Sequence, residues 1–272
     1  MSTQINKIGI LAGEGKLPLY LYNYCRNSNI PVVIVMFLDC SYEGWFDDAT
    51  PKLMTRIEKV GAIFDFLDKH GVKTVVMIGG LNRPSLKKLR PDWRGIKTLG
   101  RIVGSFFKGD DNLLRCLRAE IENEGFSVRG IDYYLRDLTS PAGILSRTHP
   151  DDAQMTLIEK GLDAAKFHGL RDQGQCVLVH TDDSVSYEKQ DGTAALICRD
   201  GRAGSILVKV TKPQQDPDLD RPTVGLDTMI CLKDKGCAGL VIQADSVLMV
   251  DKEEMIDFAN ANRMFLMAEG VT

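Results

Sequence analysis

The chain has 272 residues, enough for two compact domains, and its 44% hydrophobic and 26% charged residues are ordinary for a globular protein with a sizeable core. A formal net charge of −3 excludes a general nucleic-acid binder, which needs a basic surface to neutralise phosphates. Seven cysteines with no C-x-x-C pair, and with Cys231 and Cys237 too far from any histidine for zinc-finger spacing, argue against disulfide staples and structural zinc and fit reduced thiols in a cytosolic core.

The first residues lack a basic flank followed by a long apolar run, so no signal peptide is expected. No stretch reaches the ~18 apolar residues of a membrane span. Residues 7–12 form an apolar run, followed by a glycine-containing turn and a helical stretch over 17–26. A second run, 31–37, is rich in β-branched residues. Residues 55–70 place Ile57, Val60, Ile63, Phe64 and Leu67 at helical spacing, and Gly71 is a helix stop. A buried strand follows at 73–78, then helical stretches near 96–107 and 113–122, then a strand at 126–130. Continuous apolar strands separated by helices predict a parallel sheet covered on both faces. The expected fold class is therefore α/β, with a Rossmann-like N-terminal domain over 1–133.

Residues 134–149 break that rhythm with Thr139-Ser140-Pro141 and Pro150 close behind, and read as a linker. A mixed α/β domain is expected over 150–272. Residues 151–168 read as a helix, with Asp151 and Asp152 suited to its N-terminus and Lys166 and His168 to its last turn. Strands are expected at 176–180 and 185–188 around an Asp182-Asp183 turn, and another at 205–210. A helix over 227–235 closes on Gly236. Strands at 240–243 and 247–250 and a helix over 252–260 complete the chain.

Four stretches carry candidate chemistry. Gly13-Glu14-Gly15-Lys16-Leu17-Pro18 directly follows the first strand, where glycines admit close backbone approach and the next helix aims N–H groups at an anion. It matches neither the dinucleotide fingerprint nor the P-loop, and a plain strand–helix turn would use the same residues. Arg83, in Asn82-Arg83-Pro84, lies beyond a strand's C-terminal end and could fork onto a phosphate, or be a solvated loop residue. Asp110-Asp111 precedes a helix, where one carboxylate can cap while the other binds a divalent ion.

The richest stretch is 212–225, where Asp216, Asp218 and Asp220 stand at i, i+2 and i+4 between prolines that discourage a helix. Such a cluster is costly without a cation or basic side chains. Its partial EF-hand pattern fails at the glycine position, occupied by Arg221, and at the bidentate glutamate, occupied by Asp227. Mg²⁺ held by one or two carboxylates plus phosphate oxygens is the better fit. Ile102, Val103, Phe106 and Phe107 form an apolar patch that serves either as core or as an acyl-chain contact.

Together AGEGKLP (12–18), NRPSLKKLRPD (82–92), KGDDNLLR (108–115), GQCVLV (174–179) and KPQQDPDLDRPTVGLDT (212–228) resemble the LpxI-type UDP-2,3-diacylglucosamine pyrophosphatases of lipid A synthesis. The resemblance runs along nearly the whole chain. It implies Mg²⁺-dependent hydrolysis (Mn²⁺ as a substitute) of a lipid-linked UDP-sugar, with water attacking the α-phosphorus. It also implies a two-domain plan in a cytoplasmic monomer or homo-oligomer, in peripheral contact with the inner membrane. The family's functional aspartate corresponds to Asp220, and the catalytic carboxylates are expected at Asp220, Asp216 and Asp218. Metal ligands are expected at Asp220, Asp216 and Asp111. Substrate contacts are expected at Gly13, Gly15, Lys16, Arg83, Lys212, Gln215, Thr193 and Thr223.

Two departures stand out. The family's E-G-T-D is here Asp191-Gly192-Thr193-Ala194, and its E-A-G is Gln243-Ala244-Asp245. They favour an alternative reading, a catalytically impaired member that binds a nucleotide or lipid sugar. A Rossmann-like dehydrogenase is the other alternative, with Asp39 after the second strand as its ribose-binding cue.

Overall fold

Short aliphatic runs set the architecture of the computed structural model, which describes residues 7–42, 44–80, 89–102 and 110–270. In chain order the first elements are β1 (Ile8–Ala12), α1 (Leu17–Asn27), β2 (Val32–Phe37), β3 (Lys52–Thr55), α2 (Val60–Lys69), β4 (Thr74–Ile78), α3 (Trp93–Ile102), α4 (Asp110–Asn123) and β5 (Ser127–Val128). The five strands form a parallel sheet in the order β3-β2-β1-β4-β5. Parallel neighbours need crossovers, which lay helices over the faces and bury the central strands on both sides. Every residue of β2 is accordingly buried.

β3 did not announce itself in the sequence. It is an edge strand whose four residues stay partly exposed, so it lacks the continuous apolar run of its neighbours. The helix expected from residue 55 therefore starts five residues later, at Val60. Residues 81–88 and 103–109 lie outside the described residues, and with them Arg83, Val103, Phe106 and Phe107.

The remaining elements are β6 (Gly143–Ile144), α5 (Asp152–Leu170), β7 (Cys176–Val179), β8 (Val185–Tyr187), α6 (Gly192–Asp200), β9 (Ile206–Lys209), β10 (Thr223–Val224), α7 (Leu226–Asp234), β11 (Gly239–Gln243), β12 (Leu248–Met249), α8 (Lys252–Ala261) and β13 (Phe265–Glu269). Six of these strands make a mixed sheet, β6-β13-β11-β9-β7-β8, and β10 pairs with β12 in parallel. The core of that sheet, β13-β11-β9, is parallel, while β6, β7 and β8 run antiparallel to their neighbours. Side-chain alternation splits the core in two. Val177, Val179, Val208 and Val241 pack with Leu157, Ile158 and Ala165 of α5. Cys176, Leu178, Leu207, Leu240 and Ile242 pack with α6, α7 and α8.

Asp151 caps α5 through a reciprocal capping box with Gln154, as its carboxylate at the helix start leads one to expect. The run 134–149 carries a 3-10 turn at Arg136–Leu138 and the edge strand β6. The chain forms two compact units, Met1–Leu135 with Asp216–Asp220, and Arg136–Gln215 with Arg221–Thr272. The aspartate segment therefore belongs to the N-terminal unit, although it lies far along the chain. Among the described residues no helix is long and apolar enough to cross a membrane.

Candidate functional site

In the N-terminal unit, β1 sits between β2 and β4, so the connections leave it toward opposite edges of the sheet. The crevice beyond the C-terminal ends of β1 and β4 is the place where open α/β sheets hold ligands. Gly13-Glu14-Gly15-Lys16 and Gly79-Gly80 follow those two strand ends and meet there. Glu14 N–H donates to the Gly80 carbonyl at 2.7 Å and Gly80 N–H returns to the Glu14 carbonyl at 2.9 Å. A Cβ on Gly13 would lie 2.5 Å from the Gly80 carbonyl oxygen, so Gly13 is glycine because two backbones touch there. Gly15 differs. Its φ is +92°, and among the described residues no atom beyond its chain neighbours lies within 4 Å of where a Cβ would sit. Lys16 precedes α1, which starts without a side-chain cap and with Pro18 in its first turn.

Tyr42 braces this edge, a role the sequence reading missed. Its hydroxyl donates to the Ala12 carbonyl at 2.5 Å and accepts from Phe37 N–H at 2.8 Å, tying the ends of β1 and β2 together. Burial is the first cause that pushes its phenol well above the usual range, which keeps the donor protonated.

The aspartate segment lies at the same edge. Asp218 Oδ1 accepts from Gly130 N–H at 2.8 Å, just past the end of β5. β5 is two strands from β1, a separation of roughly 10 Å at ordinary strand spacing. Leu219 plugs into the core of this unit beside Val75, Ile121 and Val128. Arg118 of α4 forks across the segment, reaching Asp216 Oδ2 at 2.7 Å and Asp218 Oδ2 at 3.3 Å, with Glu122 Oε1 at 2.9 Å. Glu122 foremost, then Asp216, hold the guanidinium firmly protonated. The remaining oxygen of Asp216 accepts from Asp218 N–H at 3.0 Å.

The demand for a positive charge near Asp216 and Asp218 is thus met by an arginine 98 residues away in sequence from Asp216. Each of their four carboxylate oxygens accepts one hydrogen bond, from Arg118, Gly130 N–H or Asp218 N–H. Asp220 is the exposed carboxylate of the three. Asp110 and Asp111 open α4, whose start lies toward this edge because α4 leads into the opposite end of β5, and their side chains lie outside the described residues. Among the described residues no cluster of three His, Cys, Asp or Glu side chains is arranged to hold a metal.

In the C-terminal unit, Lys212 Nζ pairs with Asp172 at 2.8 Å, and buried Gln215 accepts from Lys212 N–H at 3.2 Å. Both therefore have fold-building contacts beside any contact with substrate. Thr193 and Thr223 are brought together by Lys209, whose Nζ lies 3.0 Å from Thr193 Oγ1 and 2.9 Å from the Thr223 carbonyl. Lys209 was not among the expected site residues, since it lies inside the strand expected over 205–210 and belongs to no motif. Of the departures, Asp191 pairs with Arg199 at 2.8 Å. Gln243 Oε1 accepts from Thr211 N–H at 2.8 Å, a bond a glutamate could also make.

Two family models match the chain, the LpxI N-terminal domain over residues 7–138 and the LpxI C-terminal domain over residues 141–267. A relative from Caulobacter vibrioides, UDP-2,3-diacylglucosamine pyrophosphatase LpxI, is 33% identical over 277 residues, covering 97% of each chain. Among solved structures, N5-carboxyaminoimidazole synthase from Aspergillus clavatus matches at 13% identity and a TM-score of 0.27. That match covers 68% of this chain and 41% of the other.

Proposed function

The chain belongs to the LpxI family, and on that premise we propose that it hydrolyses the pyrophosphate of UDP-2,3-diacylglucosamine in lipid A synthesis with the help of Mg²⁺. Water attacks the α-phosphorus and forms the new P–O bond, while the bond to the bridging oxygen breaks. UMP keeps the water oxygen, and 2,3-diacylglucosamine 1-phosphate departs with the bridging oxygen. The observation that carries this reading is the co-location of the glycine turn and the aspartate segment at one edge of the N-terminal sheet. Phosphate binding and a general-base or metal-binding carboxylate both belong at that edge.

Each residue then has a bounded part. Gly15 and the uncapped start of α1 offer backbone N–H groups to phosphate oxygens. Lys16 adds positive charge beside them, and Arg83 is the further cation expected there. Asp216 and Asp218, clamped by Arg118, hold Asp220 in place: the Asp220 N–H donates to the Asp216 carbonyl at 3.0 Å. Asp220, with Asp111 as second candidate, would hold Mg²⁺ or Mn²⁺, because such an ion takes one or two carboxylates and fills its remaining positions with water and phosphate. When bound, the ion would draw charge from the phosphoryl oxygens and acidify a bound water.

Purified protein incubated with UDP-2,3-diacylglucosamine and Mg²⁺ tests the assignment. Wild type should release UMP, and Asp220→Ala should lose that release while melting within about a degree of wild type, since an exposed carboxylate contributes little to the fold. Turnover retained in Asp220→Ala would remove Asp220 from the chemistry. Substrate binding by wild type without UMP formation would instead favour the binding-protein reading that Ala194 and Gln243 raise.

A further inference from the structure

β9 ends on a buried cation. Lys209 is 6% exposed and stands opposite Cys176 of β7. Its Nζ donates to Thr193 Oγ1 and to the Thr223 carbonyl, and among the described residues it forms no ion pair. An ammonium carries three N–H donors, and a buried one is costly unless negative charge offsets it. Glu188 offers such charge only through a hydroxyl: Thr193 Oγ1 donates to Glu188 Oε1 at 2.7 Å, and Glu188 Oε2 is taken by Gln175 N–H at 2.9 Å. Among the described residues the third N–H of Lys209 has no protein acceptor.

Three further features surround it. Thr193 lies in the first turn of α6, and Thr223 lies three residues before the start of α7. Both helices start without a side-chain cap, at Asp191 and Gly225, although Gly192 N–H is taken by the Lys189 carbonyl and Thr228 N–H by the Gly225 carbonyl. Thr211 follows Lys209 by two residues, just past the end of β9, and its Oγ1 is buried with no hydrogen-bond partner among the described residues.

We infer that Lys209, Thr211 and the first turns of α6 and α7 form an anion subsite that takes a phosphoryl group. The third Lys209 N–H and the Thr211 hydroxyl donate to phosphoryl oxygens, and the helix starts add their partial positive charge. That the phosphate belongs to a nucleotide sugar rests on the function proposed above; the subsite itself rests only on these residues.

Calorimetric titration of the full-length protein with UDP, using uridine as the phosphate-free control, tests the subsite. Lys209→Met should weaken UDP binding about 10- to 100-fold, the range of a lost charge-assisted hydrogen bond, and leave any uridine binding unchanged. Should Lys209→Met fail to fold, Thr211→Val decides. It should weaken UDP binding several-fold while raising the denaturation midpoint, because it removes a hydroxyl that has no partner in the free protein. A purely structural role predicts the higher midpoint with unchanged binding, and that result overturns the subsite. So does wild-type protein that binds neither UDP nor inorganic phosphate. If UDP binding depends on Thr211 or Lys209 and the protein releases no UMP from UDP-2,3-diacylglucosamine, the subsite stands and the pyrophosphatase reading falls.

Discussion

His180 lies buried past the end of β7, with Nδ1 2.7 Å from Ser205 Oγ and Nε2 3.0 Å from Ser186 Oγ. Burial first, then the nearby Arg202, lower its pKa from 6.5, against the weaker pull of Asp182 and Asp200. The neutral ring is therefore the folded form, and the unfolded chain binds the proton more readily. Stability is complete above about pH 6.5 and declines as the pH falls from there toward the lowered folded value. Asp182 acts lower on the scale: Ser184 and Arg202 lower it from 3.8 to about 2, so its contribution is complete above the unfolded value of 3.8 and declines as the pH falls from there through about 2. Urea midpoints measured between pH 8 and pH 5 should fall more in wild type than in His180→Gln. Parallel curves would show that His180 is not the titrating group. Residues of this kind were only half legible beforehand. The carboxylates Asp216–Asp220 could be read from their spacing. Arg118 and Lys209 could not, since one meets its partners only through tertiary folding and the other is buried against strand grammar, which favours an apolar residue at an inward position.

The helix α4 and the aspartate segment work as one element joined by Arg118. Arg118→Met removes the positive charge shared by Asp216 and Asp218 and should cost about 1–3 kcal/mol, as when one partner of a partly buried hydrogen-bonded pair is deleted. Wild-type stability should be insensitive to a chelator in the absence of substrate, because the counter-charge is covalently part of the protein. Equilibrium unfolding with and without EDTA checks both statements. A wild-type midpoint that drops in EDTA as far as the variant's would show a metal in that role. Elements were legible where periodicity was clear: β1, β2, β4 and β9 are continuous apolar runs, and α5 has its cap. α6 and β13 escaped because Thr-Ala-Ala-Leu-Ile-Cys and Phe-Leu-Met-Ala are short apolar runs compatible with either period. Edge strands β3 and β6 escaped because half their surface faces water.

At the scale of the molecule, the chain crosses from one unit to the other and back within five residues, 216–220. Alternating strand and helix signals foretold an N-terminal parallel sheet and a mixed C-terminal one, but periodicity along a chain carries no information about which core a distant loop fills. Leu219 marks the crossing: it is 8% exposed, in a core built otherwise from residues of the N-terminal half. Truncating it leaves a cavity among Val75, Ile121 and Val128, so Leu219→Ala should cost about 2–5 kcal/mol. The loss should fall on the N-terminal unit alone, although the mutation lies in the C-terminal half. Amide hydrogen exchange separates the possibilities, since each strand reports the opening of its own unit. Protection should drop across residues 74–78 and 121–128 and persist across 239–243 and 265–269. Equal loss in both sets would mean that the two units unfold as a single cooperative body. Loss confined to 239–243 and 265–269 would mean that Leu219 supports the C-terminal core instead. With loss confined to the N-terminal strands, Asp220 is carried by the same sheet as the glycine turn, and the position of the proposed catalytic carboxylate depends on that packing.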